Sequence, residues 1–442
     1  MSPAEALQIR NQISNITPTS LPRVFQGLSE YFPSNTAYFY SFPSGQDSSF
    51  FNGVPSWMEE LVAARSLVCA GPKMRAVAFA SSVDSLTWDI MTQRFGTELV
   101  SRDAAIGLSE NITNEVTGPE RNTRIRESLR AMMGSKELVM AQPFTDPTLE
   151  HIYQIPPHVT IMLNDKANRG YYVPQRYIPQ ILASFTSGEA FHASIEALVF
   201  PVVVKVSSSS SGDGVRICMN EEELCAAKEQ FKNMTGTIII EQFIKSSHNI
   251  CVQFGIPADP EKPIEMLGYN EQLTSENGGF LAGVVNPYKH IPGIQNIYDV
   301  LQNEVLPRVR ALGWYGVGGI DVLMVDEHTF YFIDTNFRMT ATFTFIYLQQ
   351  TQRITKPVVS FAGSYRGSYD DLLSKIVPLG KNGDPDQLMS VIALTQRDNL
   401  FRFNAGLFFD DRESLKYNVQ TLLDHGVESA SLSSLVASGF NV

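Results

Sequence analysis

Two stretches far apart in the chain bring together residue types that handle phosphate and metal. The first is Pro201-Val-Val-Val-Lys205, a β-branched run of strand character, which feeds a lysine into the serine-rich segment Ser207 to Gly214. A flexible loop dense in backbone N–H and hydroxyl donors can fold over phosphate oxygens, and the lysine adds a compact positive charge. The lysine precedes the loop and no GxxxxGK[ST] occurs, so this is not a Walker motif. Serine–glycine loops also serve merely to connect strands, and on this stretch alone both readings stand.

The second stretch is Gly319-Ile-Asp321, followed after a hairpin by Tyr331-Phe-Ile-Asp-Thr-Asn-Phe-Arg338. In a hairpin Asp321 and Asp334 sit opposite each other, and side-chain alternation puts Asn336 on the face of Asp334. Hard oxygen ligands close together suit Mg²⁺ bridging nucleotide phosphates. The flanking Ile320, Val322 and Ile333 make two such acids costly in a core that lacks a cation. The plainer alternative is two solvated carboxylates at strand ends. Arg338 continues the same face, where a guanidinium could hold a carboxylate through two bonds or offset an acyl phosphate.

The elements that must position these residues can be read from the pattern. Residues 1–155 alternate helical segments (Asp84 to Phe95, Arg121 to Met133) with short apolar runs at Met74–Ala80 and Leu138–Ala141, which predicts an α/β lobe with a parallel sheet. No GxGxxG follows a strand. His158–Leu163 reads as a third strand leading to Asn164-Asp-Lys166, and a helical stretch is expected from Gln175 to Gly188. Residues 195–255 have the strand–loop–helix–strand order of a small α+β lobe, with its helix at Glu221 to Lys232. Residues 256–292 are rich in Gly, Pro and Asn and are expected to be mostly loop, with Gly278, Gly279, Gly283, Tyr288 and Lys289 as candidates for an acceptor pocket. Asn303–Leu312 reads as a helix and Tyr315–Ile333 as a hairpin turning at Asp326-Glu327-His328. The rest of the chain, from about Phe345, reads as mixed α/β.

Bulk properties limit the function classes. A chain of 442 residues, 43% hydrophobic, can bury large cores in two to four lobes. With 18% charged and 10% aromatic residues it reads as globular. A formal charge of −12 argues against nucleic acid or an anionic membrane as partner, since both require basic surface. The four cysteines, Cys69, Cys218, Cys225 and Cys251, show no CxxC pairing, which fits a reducing compartment. Met1–Arg23 has no signal-peptide pattern, and the apolar run at Ala197–Val204 is too short to span a bilayer, so a cytoplasmic location is expected.

As an ordered set, these motifs resemble the ATP-grasp ligases over about residues 165–345. That family pattern has a lysine after a strand, a Gly/Ser loop, an "EEFI"-type hinge, an acid on one strand and E-x-N-x-R on the next. Here the counterparts are Lys205, Ser207 to Gly214, Glu241-Gln-Phe-Ile244, Asp321 and Asp334-Thr-Asn-Phe-Arg338. The resemblance implies an ATP-grasp fold, α/β and α+β, in three parts. These are an N-terminal pre-ATP-grasp α/β domain (1–155), the core (156–345, small lobe about 195–255) and a C-terminal mixed α/β domain (346–442).

It also implies roles for particular residues. Lys166 and Lys205 would contact phosphates, with Ser207, Ser211, Gly212 and Gly214 of the loop. Glu241 and Ile244 would hold the adenine through backbone groups, and His248, with Asn249 as rival, would face the ribose. Asp321, Asp334 and Asn336 would bind Mg²⁺, for which Mn²⁺ could substitute. Arg338 and Lys205 would take the catalytic roles. Two departures stand out: the family's usual Glu is here Asp334, and the loop is richer in serine than in glycine.

The implied activity is ATP-dependent joining of a small-molecule or peptide carboxylate to an amine, through an acyl phosphate, with release of ADP and phosphate. Alternatives are transfer of an acid to a carrier-protein thiol and a non-catalytic ATP-binding regulator. A homodimer is compatible with the pattern. A biotin-dependent carboxylase is disfavoured, because the chain has no Met-Lys-Met biotin-carrier motif. The layout faintly resembles stand-alone peptide ligases of natural-product pathways, including the pheganomycin type.

Overall fold

A parallel sheet, a small antiparallel sheet and a large antiparallel sheet carry the chain in that order along the sequence. The computed structural model describes residues 27–41, 56–71, 73–109, 112, 118–195, 197–209, 214–274, 279–351, 354–384 and 386–437. The N-terminal segment Met1–Arg23 therefore lies outside the described residues. Strands β1 (Ala37–Phe39), β2 (Arg75–Phe79), β3 (Ala105–Leu108) and β4 (Leu138–Met140) form a parallel sheet in the order β3-β2-β1-β4. The helix Gly118–Met132 belongs to this lobe, as the alternating pattern predicts.

The small lobe consists of β5 (Ile181–Ser187), β6 (Val202–Val206), β7 (Val215–Cys218) and β8 (Thr235–Gln242) in the antiparallel order β5-β8-β6-β7. Val202, Val204, Val206, Ile238 and Ile240 form its core with Phe191, Leu224 and Phe231. Each such buried side chain contributes about 1.5–3 kcal/mol. The helix Glu221–Phe231 starts where the Asn220 side chain accepts from the Glu223 N–H at 3.0 Å, and three glutamates in its first turn face the positive end of the helix dipole.

The large sheet holds β9 (His248–Ile256), β10 (Glu265–Thr274), β11 (Phe280–Val285), β12 (Gly316–Met324), β13 (Phe330–Asn336), β14 (Val358–Arg366), β15 (Met389–Arg397), β16 (Leu400–Phe408) and the short β17 (Val427–Glu428). Its order is β13-β12-β9-β10-β11-β14-β16-β15, with β17 paired to β14. The expected boundary near residue 345 falls inside the helix Phe343–Gln350, and the strands after it continue the same sheet.

Three local expectations are corrected. His158–Leu163 is not a strand but part of the helix Pro157–Asn164; proline occupies the first turn, and Val159, Thr160 and Leu163 make one buried helical face. Instead of a helix from Gln175 to Gly188 there is a short 3₁₀ turn, Gln175–Tyr177, followed by edge strand β5. The region 256–292 contains β10 and β11. Its polar residues mimic a loop in composition because several of them line an internal cavity. No helix among the described residues is long and apolar enough to cross a membrane.

Candidate active site

The β12–β13 hairpin places Asp321 opposite Asp334 and Asn336 opposite Gly319, with a register irregularity just past Asp321. The Asp321 carboxylate accepts from Gln272 Nε2 at 2.7 Å. Asp334 pairs through Oδ2 with Lys166 Nζ at 3.1 Å and accepts through Oδ1 from the Thr335 N–H at 2.8 Å. Burial, reinforced by the like charge of Asp334, pushes the Asp321 carboxyl up to about 7. Cys251, its neighbour on β9, is raised by burial and then by Asp321. Two carboxylates here face one ammonium, so a hard divalent cation would relieve their repulsion, and the donor set of two carboxylates and one amide suits Mg²⁺. Among the described residues no group of three or more His, Cys, Asp or Glu could hold a metal ion.

Lys166 follows the helix Pro157–Asn164 in a turn where Asp165 accepts from the Ala167 N–H at 2.9 Å. Its backbone N–H donates to Ser207 O at 3.0 Å, and its ammonium donates to Ser209 O at 2.7 Å. Lys166 thereby clasps the start of the serine loop while touching Asp334. Lys205 ends the apolar run of β6; its ammonium pairs with Glu241 Oε2 at 2.7 Å and donates to Ile333 O at 3.1 Å. The other oxygen of Glu241 pairs with Arg169, which also donates to Phe332 O at 3.0 Å. Burial lowers the Lys205 pKa against the pull of Glu241. Burial would raise Glu241, but Lys205 and Arg169 outweigh it and hold the carboxyl below its ordinary value. This buried triad ties β6 and β8 of the small lobe to β13.

Arg338 leaves the hairpin nearly buried and donates through Nη1 to Asn164 Oδ1 at 2.7 Å, an oxygen that also accepts from the Phe337 N–H. Beyond it the chain crosses the face of the large sheet. Thr340 donates to Gln253 Oε1 at 2.9 Å and Thr342 to Asn270 Oδ1 at 2.6 Å. The crossing requires glycine below it: a Cβ on Gly319 would lie 2.6 Å from Thr340 Cγ2, and one on Gly283 would lie 2.2 Å from Thr342 Cγ2.

These residues surround a cavity of about 360 Å³ whose lining includes Lys166, Lys205, Ser209, Asp321, Asp334, Asn336 and Arg338. The other expected site residues are placed differently. Ser207 is buried with its hydroxyl unpartnered, and Gly214 packs against Ser209. Ser211 and Gly212 lie outside the described residues. The carboxylate of Glu241 is taken up by Lys205 and Arg169, and Ile244 lies in the link between β8 and β9. His248 faces Glu271 at 3.5 Å, and Glu271 pairs with Lys289 at 2.5 Å. The next residue, Asn249, lines the cavity with its Oδ1 lacking a hydrogen-bond partner. Of the acceptor-pocket candidates, Gly278 lies outside the described residues, Gly283 packs under Thr342, and Tyr288 donates to Thr355 O.

Sequence reasoning missed Arg169, Asn164, Gln272 and Arg65. Arg169 follows Lys166 by three residues, one helical turn, and that spacing was the available signal. The other three meet the cavity only through tertiary packing.

The profile described as L-aspartate–L-methionine ligase, ATP grasp, matches residues 184–336. The chain is 24% identical over 196 residues to a 2-oxoglutarate carboxylase small subunit of Hydrogenobacter thermophilus, covering 42% of this chain and 40% of that protein. It is 32% identical over 139 residues to a D-alanine–D-alanine ligase of Geotalea uraniireducens, covering 31% and 43%. The chain thus spans less than half the length of either relative. A biotin carboxylase of Campylobacter jejuni, solved with a β,γ-ATP ligand, superposes with a TM-score of 0.54 at 12% identity, covering 92% of this chain and 96% of the other. The architecture is therefore the ATP-grasp fold.

Proposed function

We propose that this chain, which has the ATP-grasp fold, is an ATP-dependent ligase joining a carboxylate to an amine. The observation that carries this reading is the convergence on one cavity of Lys166, Lys205, Asp321, Asp334, Asn336 and Arg338. The profile match over residues 184–336 supports it.

In this reading Lys166 and Lys205 bind phosphate oxygens, with Ser209 on the same cavity wall. Asp321, Asp334 and Asn336 hold Mg²⁺, which when bound offsets phosphate charge. Arg338, fixed by Asn164, aligns the substrate carboxylate, whose oxygen attacks the γ-phosphorus as the bond to ADP breaks. The resulting acyl phosphate is attacked at its carbonyl carbon by the amine, and phosphate leaves. Exclusion of water from the site would protect the intermediate from hydrolysis. Asn249, with its unpartnered oxygen on the cavity wall, is better placed than His248 to accept from a substrate donor.

The test is ADP and phosphate release against a panel of carboxylates and amines, with the coupled product identified by mass. ADP formed only in the presence of one acid–amine pair supports the reading. AMP as product, or no pair that stimulates turnover, overturns it.

A further inference from the structure

The cavity extends beyond the phosphate and metal residues to a wall contributed by the N-terminal lobe and the C-terminal strands. Trp57, Leu61 and Arg65 come from the first, and Phe361, Ile392 and Asn404 from the second. Arg65 follows the helix Ser56–Ala64 and is held by Asn404 on β16, whose Oδ1 accepts from the arginine Nε at 2.8 Å. The other side chain acting on the guanidinium's charge is the Tyr40 phenol, so neither Asn404 nor Tyr40 supplies a carboxylate. Arg65 is half-buried on the cavity wall, and desolvation there pushes its pKa down.

A guanidinium removed from bulk water and left without an acid is unfavourable unless a ligand provides the anion. Two buried guanidiniums do have acids, Arg169 with Glu241 and Arg121 with Glu59, whereas Arg338, like Arg65, is held by an asparagine at the cavity. Fixing Nε on Asn404 leaves the two Nη groups to present a planar fork, the shape that binds a carboxylate through two bonds. The surrounding wall is largely apolar and aromatic, suiting a compact organic acid better than a free phosphate.

Resting on the ligase reading above, we propose that Arg65 binds a second substrate carboxylate, one that is not activated. One of the two joined molecules therefore carries two functional ends. Either the acid is a dicarboxylate, or the amine is an amino acid or peptide with its own free carboxylate. Arg338 and Arg65 then divide the work. Arg338, beside the hairpin, orients the reacting carboxylate, and Arg65 anchors the other one.

The test uses the full chain and two variants, Arg65→Met and Asn404→Asp. The second keeps the guanidinium but places an internal carboxylate against it, so a merely structural Arg65 would tolerate it. Calorimetric binding of the twenty L-amino acids, their α-amides, succinate and succinamic acid is measured alongside ADP release. If the proposal holds, both variants weaken binding or raise KM of the carboxylate-bearing partner about 10- to 100-fold, while KM for ATP is unchanged. A contrast between amino acids and their amides assigns the carboxylate to the amine substrate. A contrast between succinate and succinamic acid assigns it to the acid substrate. Carboxylates that bind the wild type and neither variant, without turnover of any pair, support the anchor and overturn the ligase reading. Turnover with the same KM values in all three proteins, or variants that shift KM for ATP alone, overturns the anchor and leaves the ligase reading intact.

Discussion

The N-terminal lobe and the cavity both bury charge, but they settle it differently. In the lobe, Glu59 pairs with Arg121 at 2.9 Å and Glu60 with Arg397 at 2.8 Å, so two acids meet two bases. Ser41 and Ser81 donate to the same carboxylates. At the cavity, Asp334 pairs with one ammonium while Asp321 beside it has only the Gln272 amide, and Arg65 has an amide in place of an acid. The first arrangement matches acid to base without a ligand and fastens the N-terminal helix Ser56–Ala64 to β15. The second is complete only when a cation and an anion are supplied. Charge balance thus separates a structural network from a binding one where burial alone would not.

The sharpest way to break that contrast is Arg121→Met, which strands the Glu59 carboxylate. We expect a loss of about 3–5 kcal/mol in chemical denaturation, with turnover per folded molecule unchanged. The pH dependence has a definite sign. Burial already raises the Glu59 pKa above the usual carboxylate value despite Arg121. A raised carboxyl favours the folded state below its unfolded pKa, and that contribution is lost as pH rises through the folded value. The deficit of Arg121→Met should therefore shrink as pH falls from 7 toward 5. A constant deficit across that range would show that Glu59 is not the stranded group.

At the cavity the opposite pattern is expected. Asp334→Asn should lower ADP release about 10²- to 10³-fold, read at saturating ATP, while the melting temperature without nucleotide stays level or rises. A large fall in melting temperature would place Asp334 with the structural pairs. A third measurement follows the cation itself. At a hundredfold excess over Kd, Mg²⁺–ATP should stabilise the wild type by about 2.7 kcal/mol. Addition of EDTA should remove most of that gain, and Asp321→Asn should show little of it. Equal stabilisation of wild type and variant would separate Asp321 from the cation.

The smallest effect belongs to a charge that is neither buried nor at the site. Asp371 accepts from the Ser368 N–H and Oγ in a capping box and pairs with Lys375, and these contacts lower its pKa to about 2. A depressed carboxyl contributes stability above its unfolded pKa that disappears as pH falls through about 2. Asp371→Asn should therefore match wild type at pH 2 and fall slightly below it at pH 7, leaving activity unaltered. Any change in KM would contradict the separation of surface capping from the site.

The juxtaposition of the residues proposed for phosphate and metal was legible because it is local: Lys205 lies at the end of an apolar strand, and Asp321 and Asp334 are fixed in opposition by one hairpin. The helix at Pro157–Asn164 was misread because Val159, Thr160 and Ile161 favour strands intrinsically, and the packing of one face against the core decided otherwise. Strands β10 and β11 were hidden by composition, since Asn270, Gln272 and Thr274 turn polar groups inward. Arg65 and Asn404 lie 339 residues apart. Neither has a neighbour in sequence that announces the pair, so only the closed fold shows that they meet. Arg169 was within reach, because one helical turn links it to Lys166.

The crossing at Arg338–Thr342 divides the protein in a way that bears on how its chemistry can diversify. The hairpin that would hold metal ends at Asn336, and the far wall of the cavity is drawn from other parts of the chain, the helix Ser56–Ala64 and strands β14 to β16. Between them the crossing segment rests on two glycines that admit no larger residue. Substitutions in the far wall can therefore reshape that wall without disturbing the end formed by the lysines and the hairpin. Changes at Gly283 or Gly319 would lift the shared floor and disturb both ends at once. A search for altered substrate range in this scaffold is best confined to the far wall.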